Sequence, residues 1–402
     1  MTNKVELLAP AGDLERLKIA LKYGADAVYV GGPLLNLRAN AINFTIDELK
    51  EGIEFAHSLN KKVYVTVNII LHNSDANLVD EYLKVLKSIN VDAIIVSDPF
   101  IIELAKKYDI EVHLSTQQST LNRESVEFFK SLGVSRIVLG RECSREDIKN
   151  ILDNVDIEIE TFIHGAMCAG FSGRCVMSNV LTGRDANRGG CSQICRWDFN
   201  LMNEKSNDIR GDKPFTFCSK DLSMLKYIPD LINMGITSFK IEGRMRSQYY
   251  IATVVSVYRK IIDNYYQNNN NLEYNKYERI LLNCANRDST VQFFDGNYDS
   301  SCSYYNGRVE VSNQDFLGIV LDYDDKTHLA TIEERNYFKK GDIVEIFGPM
   351  HDDYEIEIKE IYDEIGLCID IVRHPRQIVK IYVQDKLNKD DMMRIKHLSI
   401  DK

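Results

Sequence analysis

The sequence predicts an α/β protein, a TIM-type (β/α)8 barrel followed by a small C-terminal β-barrel domain. Three observations carry this reading. Up to about residue 245, eight short apolar runs alternate with helical patterns. Beyond Asp315, strand-like runs follow one another with no helical pattern between them. A polar stretch rich in Tyr and Asn separates the two regimes.

The eight runs are Val5–Ala9, Ala27–Val30, Val63–Asn68, Ala93–Ser97, Glu111–Ser115, Arg136–Leu139, Ile157–Ile163 and Ser238–Glu242. Most are continuously apolar, which suits parallel strands buried on both faces. Between them the period is helical. Asp13–Tyr23 puts Leu14, Leu17, Ala20 and Leu21 on one face, and Ile46–Ser58 behaves alike. Eight such units match a barrel in number and size, with a doubly wound open sheet as the alternative. Tyr249–Tyr266 reads as a closing helix, so the barrel covers residues 1–266, with an insertion at about 164–237. Residues 267–312, which include the run Asn268–Asn271, read as a linker with one short helix. Residues 313–402 hold six strand-like runs: Phe316–Leu321, Leu329–Glu333, Ile343–Phe347, Tyr354–Ile361, Cys368–Val372 and Ile378–Val383. Gly341, Gly348 and Gly366 mark turns between them.

Composition bounds the function. The chain has 402 residues, enough for two or three domains, and 44% of them are hydrophobic. A net charge of −11 argues against coating nucleic acid by bulk charge, though not against a local basic patch. No apolar signal core follows the first residues and no uncharged run is long enough to span a bilayer, so a cytoplasmic protein without a membrane partner is expected. Thiols there stay reduced, and clustered cysteines point to metal binding or catalysis.

The insertion holds such a cluster. Cys168, Cys175, Cys191 and Cys195 follow the spacing C-x6-C-x15-C-x3-C in a Gly-rich segment. Four soft thiolates can close a metal site. Zinc knuckles want a short spacing at both ends, and only the last pair has it. An iron–sulfur cluster tolerates wider spacing, so it is the better fit and zinc the poorer one. Arg174, Arg184, Arg188 and Arg196 face a single acid, Asp185, between Gly165 and Trp197. That local positive excess suits an RNA backbone or another anion, unless these arginines pair with acids elsewhere.

The C-terminal ends of barrel strands carry further polar groups: Arg38, Asn40, Asn68, Asp98, Gln117, Gln118, Arg141, Glu142, Glu242 and Arg244. Active sites of such barrels lie at that end. Arg141 and Arg244 are candidate holders of a small dicarboxylate. Strand alternation puts Glu160, Phe162 and His164 on one face, aimed at the mouth, which makes Glu160, His164 and Glu242 candidate acid–base residues. Peptidase motifs are wanting. No His is followed by Glu, and Gly170-Phe-Ser172-Gly-Arg174 fails the nucleophile-elbow pattern at its last position. A Cys–His pair through His164 remains open at this level.

Longer motifs carry a resemblance. Glu160-Thr-Phe-Ile-His-Gly165-Ala-Met-Cys168, followed by Gly173-Arg-Cys175, resembles the collagenase-like peptidase family of unknown catalytic type. Leu181-Thr-Gly-Arg-Asp-Ala-Asn-Arg188, then Cys191 and Cys195-Arg-Trp197, is similar to that family's tRNA-hydroxylating branch. Leu7-Leu-Ala-Pro-Ala-Gly12, Ser219-Lys-Asp-Leu222, Phe239-Lys-Ile-Glu-Gly-Arg-Met245, Thr331-Ile-Glu-Glu-Arg-Asn336 and Glu345-Ile-Phe-Gly-Pro349 extend the match over almost the whole chain. The resemblance implies oxygen-independent hydroxylation of a tRNA wobble uridine to 5-hydroxyuridine, with prephenate as co-substrate and a [4Fe–4S] cluster on cysteines. It leaves room for a paralogous partner or a homo-oligomer. The alternatives are a hydrolase acting on peptides and a non-catalytic RNA-binding iron–sulfur protein. Many relatives have Cys after the Lys-Asp-Leu motif, where this chain has Ser223, with Cys218 five residues earlier. Cys195 is therefore the expected fourth ligand and Cys218 the alternative.

Overall fold

The computed structural model describes residues 4–37, 43–205, 214–268, 273–285, 287–296, 298–304 and 316–395. Arg38, Asn40 and part of the Asn run lie outside these. The chain forms two compact units, Met1–Glu310 and Val311–Lys402.

Eight parallel strands build the first unit. They are β1 (Glu6–Pro10), β2 (Ala27–Gly31), β3 (Lys62–Val67), β4 (Ala93–Val96), β5 (Glu111–Leu114), β6 (Arg136–Val138), β7 (Glu158–Gly165) and, after a short β8 (Asp221–Ser223), β9 (Ser238–Ile241). Each pairs with the next, β7 also pairs with β9, and β9 pairs with β1, so the sheet closes. Closure excludes the open-sheet alternative. Helices follow the strands: α1 (Leu14–Lys22), α2 (Ile46–Ser58), α3 (Ala76–Ser88), α4 (Pro99–Lys107), α5 (Arg123–Ser131) and α6 (Arg145–Asn154). Their starts are encoded locally. Asp13 accepts from the Arg16 amide, and Thr45–Glu48 and Ser144–Asp147 form reciprocal capping boxes. Each cap contributes about 1 kcal/mol.

Inside the barrel, register aligns Tyr29 with Tyr64, Ile95 with His113, and Phe162 with Lys240. The N-terminal end of the barrel is charged. Arg136 reaches Glu6 at 2.6 Å, Glu158 at 2.7 Å and Glu160 at 3.4 Å, while Lys240 reaches Glu160 at 2.6 Å.

The insertion after β7 has structure of its own. Among its described residues it carries α7 (Met177–Thr182), four short 3-10 turns, an antiparallel bridge between Phe199 and Phe215, β8 against the end of β7, and α8 (Ile228–Met234). The stretch read as a linker is partly barrel. Helix α10 (Tyr274–Ala285) packs on α9 (Gln248–Tyr266), and β10 (Ser289–Thr290) pairs with β8. Ile280, Leu281 and Ala285, at helical spacing, are the apolar stripe that holds α10 there.

The second unit is an eight-stranded antiparallel sheet. Its spatial order is His351–Glu357, Ile343–Gly348, Met392–Ile395, Phe316–Asp324, Leu329–Glu334, Ile378–Tyr382, Ile361–Tyr362 and Cys368–Ile369. Val320, Ile332, Phe338, Val344, Ile346 and Ile381 lie in its core. The strand Met392–Ile395 escaped the sequence reading because it carries Arg394. That side chain is buried, and Glu345 at 3.0 Å and Asp353 at 3.2 Å neutralise it. No helix among the described residues is long and apolar enough to cross a membrane.

Candidate active site at the barrel mouth

Strand ends converge on a mouth lined with cations and aromatic rings. Arg141 leaves β6 and lies flat over Phe162, its guanidinium carbon 3.8 Å from the ring centroid. Its Nη1 donates to the Ala166 carbonyl at 2.8 Å, and its Nη2 is 3.6 Å from a Glu242 carboxylate oxygen. Its buried Nε has no hydrogen-bond partner. The Lys240 ammonium sits 4.6 Å from the Tyr29 ring centroid and 5.5 Å from that of Phe162. The Tyr29 hydroxyl donates to the Ile241 carbonyl at 2.9 Å and lies 3.4 Å from Glu242. Arg244, after β9, donates to Thr66 at 3.2 Å, Asn36 at 3.4 Å and Asn43 at 2.8 Å. Arg141, Glu242 and Arg244 therefore do reach the mouth.

Gly165 lets this happen. It ends β7 with φ near 111°, and a side chain there would meet the Glu242 carbonyl oxygen at 2.5 Å. Only glycine gives both the turn and the close approach.

Glu160 and His164 do not join the mouth. Glu160 is fully enclosed and lies deeper than Phe162 on β7. Burial opposes its negative charge, but Lys240 and Arg136 outweigh burial and hold its pKa below the ordinary carboxylate value. It is an ionic strut. A register shift between Phe162 and His164 breaks the alternation on which the shared face depended. His164 then aligns with Ile241, on the opposite side from Lys240, and packs outward on α9. There its Nδ1 lies 3.2 Å from the Tyr258 hydroxyl, and burial lowers its pKa to about 4.

The arginines of the insertion divide. Arg188 grips both oxygens of Asp75, at 2.7 and 3.1 Å, and the Ile70 carbonyl at 2.6 Å. That pairing pulls the Asp75 pKa down and ties the insertion to the start of α3, so Arg188 is a clamp rather than an anion site. Arg174 donates from Nε to the Gln117 carbonyl at 2.6 Å and from Nη2 to Gln118 at 2.9 Å, yet stays exposed. Arg184 is exposed, and Arg196 is half-buried beside Gln193. Other strand-end groups prove structural. Asp98 caps α4 at the Phe100 amide, and Glu142 holds the Ser172 amide at 2.7 Å.

Cys168 and Cys191 are exposed, Cys175 and Cys195 partly buried, and Cys218 buried. Burial first, then the charges of Cys168, Cys218 and Cys191, push the Cys195 thiol up to about 11, against a pull from Arg196. The Phe199–Phe215 bridge explains the neighbourhood. It brings the chain that follows Cys195 against the chain that precedes Cys218. Cys175 is held by Asn187 at both its amide and its carbonyl, each at 3.1 Å. Among the described residues, no three His, Cys, Asp or Glu side chains are gathered tightly enough for one metal ion.

Sequence reasoning missed Lys240 and its aromatic cradle. The signal was present, because a lysine inside the otherwise apolar Ser238–Ile241 run needs a buried partner.

Comparison with known proteins follows the two units. The family model described as peptidase family U32 matches residues 12–303, and the model of its C-terminal domain matches residues 312–394. The chain is 49% identical to "tRNA hydroxylation protein P1" of Bacillus subtilis (strain 168), covering 98% of this chain and 95% of that one. It is 39% identical to an uncharacterized protease of Methanocaldococcus jannaschii, over 87% of this chain and 88% of that one. It is 38% identical to "23S rRNA 5-hydroxycytidine C2501 synthase" of Escherichia coli (strain K12), over 65% of this chain and 40% of that one. With its barrel and its C-terminal sheet both matched, this chain belongs to peptidase family U32.

Proposed function

We propose that this chain hydroxylates RNA, converting the wobble uridine of certain tRNAs to 5-hydroxyuridine in the cytoplasm without molecular oxygen. The observation that carries the reading is the near full-length likeness to a protein named for tRNA hydroxylation. The likeness of 65% of the chain to an rRNA hydroxycytidine synthase supports the same reaction class. An anticodon base already stands in a loop, so presenting it costs little unstacking.

The co-substrate in this reading is a small dicarboxylate such as prephenate. Arg141 and Arg244 would bind its carboxylates, and the unspent Nε of Arg141 is a donor in keeping with that role. Glu242, between Tyr29 and Arg141, would accept or return a proton at the reacting end. The Phe162 and Tyr29 rings, under their cations, keep water from the floor of the mouth.

The donor chemistry of the cysteines suits an iron–sulfur cluster. They are soft, partly exposed and electrostatically coupled, and a cluster spreads its ligands more widely than one zinc ion does. Cys168, Cys191 and Cys195 would be three ligands. The fourth place lies between Cys175 and Cys218, and the coupling to Cys195 favours Cys218. When bound, such a cluster supplies redox or Lewis-acid chemistry. A peptidase reading would need a base for a thiol, and His164 is buried against α9 with its Nδ1 on the Tyr258 hydroxyl.

Deleting the gene, together with any paralogue, tests the reading by mass spectrometry of tRNA nucleosides. Loss of 5-hydroxyuridine is expected, and an unchanged level would overturn it. Iron and sulfide assays on anaerobically purified Cys218→Ala and Cys175→Ala assign the fourth ligand. The expected result is loss of cluster in Cys218→Ala.

A further inference from the structure

We infer that the exposed aromatic side chains around the thiols form a stacking platform for unpaired RNA bases. The inference rests on the RNA reading above and names the surface that would hold the substrate.

Phe171, Trp197 and Phe217 are large aromatic residues exposed to 52%, 47% and 46%. Each lies within three residues of a cysteine of the cluster: Cys168, Cys195 and Cys218. An exposed aromatic ring normally buries part of its surface at the cost of nothing else, so three left open beside one site call for an occupant. Their arrangement is built. Trp197 closes the 3-10 turn Ile194–Arg196, its amide donating to the Ile194 carbonyl at 3.0 Å, two residues before the bridge of Phe199 with Phe215. Phe217 is fixed there by Phe199 and Phe215, with ring centroids at 5.3 and 5.2 Å. Phe171 is fixed by its own turn, since the next residue, Ser172, is buried and its amide is held by Glu142.

Charge selects among occupants. Arg174, Arg184 and Arg196 lie between Phe171 and Trp197 along the insertion, in a protein of net charge −11. A partner of neutral or basic protein surface would gain nothing from those guanidinium groups. A single-stranded nucleic acid uses both halves, with phosphates on the guanidinium groups and bases on the rings. Closed duplex would present phosphates but no free base faces. The surface therefore fits an RNA loop and discriminates it from a stem.

The test uses the anaerobically purified holoprotein and a fluorescently labelled anticodon stem-loop RNA, followed by polarisation. Trp197→Ala and Phe217→Ala are each expected to weaken binding roughly five- to hundredfold. Trp197→Phe, which keeps a stacking face, should stay within about threefold of the native chain. Phe128→Ala, at a ring 57% exposed on α5 and remote in sequence from the cysteines, should bind normally. The same RNA with its loop closed into duplex should bind at least about tenfold more weakly. The logarithm of affinity should fall with that of salt at a slope of about −2, for three phosphates at about −0.7 each. Unchanged RNA affinity in both alanine variants overturns the platform, and so does an equal affinity for loop and duplex. A shift in oligomeric state by light scattering, with RNA affinity unchanged, would mark a protein interface and also overturn it. Nucleoside analysis of the deletion strain stands apart from all these arms, so the surface can fail while the RNA-hydroxylation reading survives.

Discussion

Glu160 is fully enclosed, and it remains an anion because Lys240 and Arg136 close on it. Desolvating such groups costs several kcal/mol per ion, and attraction at 2.6 Å offsets the cost only while both partners stay. Lys240→Met should therefore destabilise the barrel by about 3–5 kcal/mol in urea melts, and adding Glu160→Leu should recover most of that loss. A Lys240→Met barrel as stable as the native one would show the pair to be incidental. His164 gives a second prediction, in pH. Its folded pKa of about 4 lies below the unfolded value near 6.5. The unfolded chain thus takes up the proton first. Stability from neutral His164 is complete above about pH 6.5, falls as pH drops toward 4, and changes no further below that. The loss amounts to about 3 kcal/mol, and His164→Gln should flatten the stability profile across this window.

At the scale of elements, the clamp of Arg188 on Asp75 decides how firmly the cysteine-bearing insertion is docked. Charged hydrogen bonds of this kind contribute about 1.5–3 kcal/mol. Arg188→Ala should raise the rate of trypsin cleavage at Arg184 by roughly ten- to hundredfold, while the barrel melts as before. Unchanged cleavage would place the docking force elsewhere. The elements themselves show what the sequence makes legible. The barrel strands were readable because parallel strands sheathed by helices must be continuously apolar, as Ala27–Gly31 and Ala93–Val96 are. The bulge at Ile163 was not readable. The run from Glu160 to His164 carries no glycine or proline to mark a bulge, and only the pairing with β9 shows the slipped register that turns His164 outward. Met392–Ile395 was hidden by Arg394, whose neutralising acids come from distant residues. The candidate site divides the same way. Clustered cysteines and strand-end arginines are local features, whereas the nearness of Cys218 to Cys195 depends on the bridge between Phe199 and Phe215.

For the whole molecule, the division of labour follows from where the cores lie. The second unit has its own closed set of buried residues, among them Val320, Ile332, Phe338, Val344, Ile346 and Ile381. Its deeply buried cation Arg394 finds both acids, Glu345 and Asp353, inside the same unit. A unit of this size is near the lower range in which a single core suffices, so its stability should be modest. Residues 311–402 expressed alone should fold to an antiparallel β spectrum and melt cooperatively. The full chain should then show two calorimetric transitions, the one at lower temperature coinciding with that of the isolated unit. The clustered thiols and the mouth all belong to the first unit. Residues 1–310, purified anaerobically, should therefore keep the full chain's iron and sulfide content. A single shared transition, or an unfolded 311–402 fragment, would mean that the two cores complete one another; loss of iron from 1–310 would mean the same of the site.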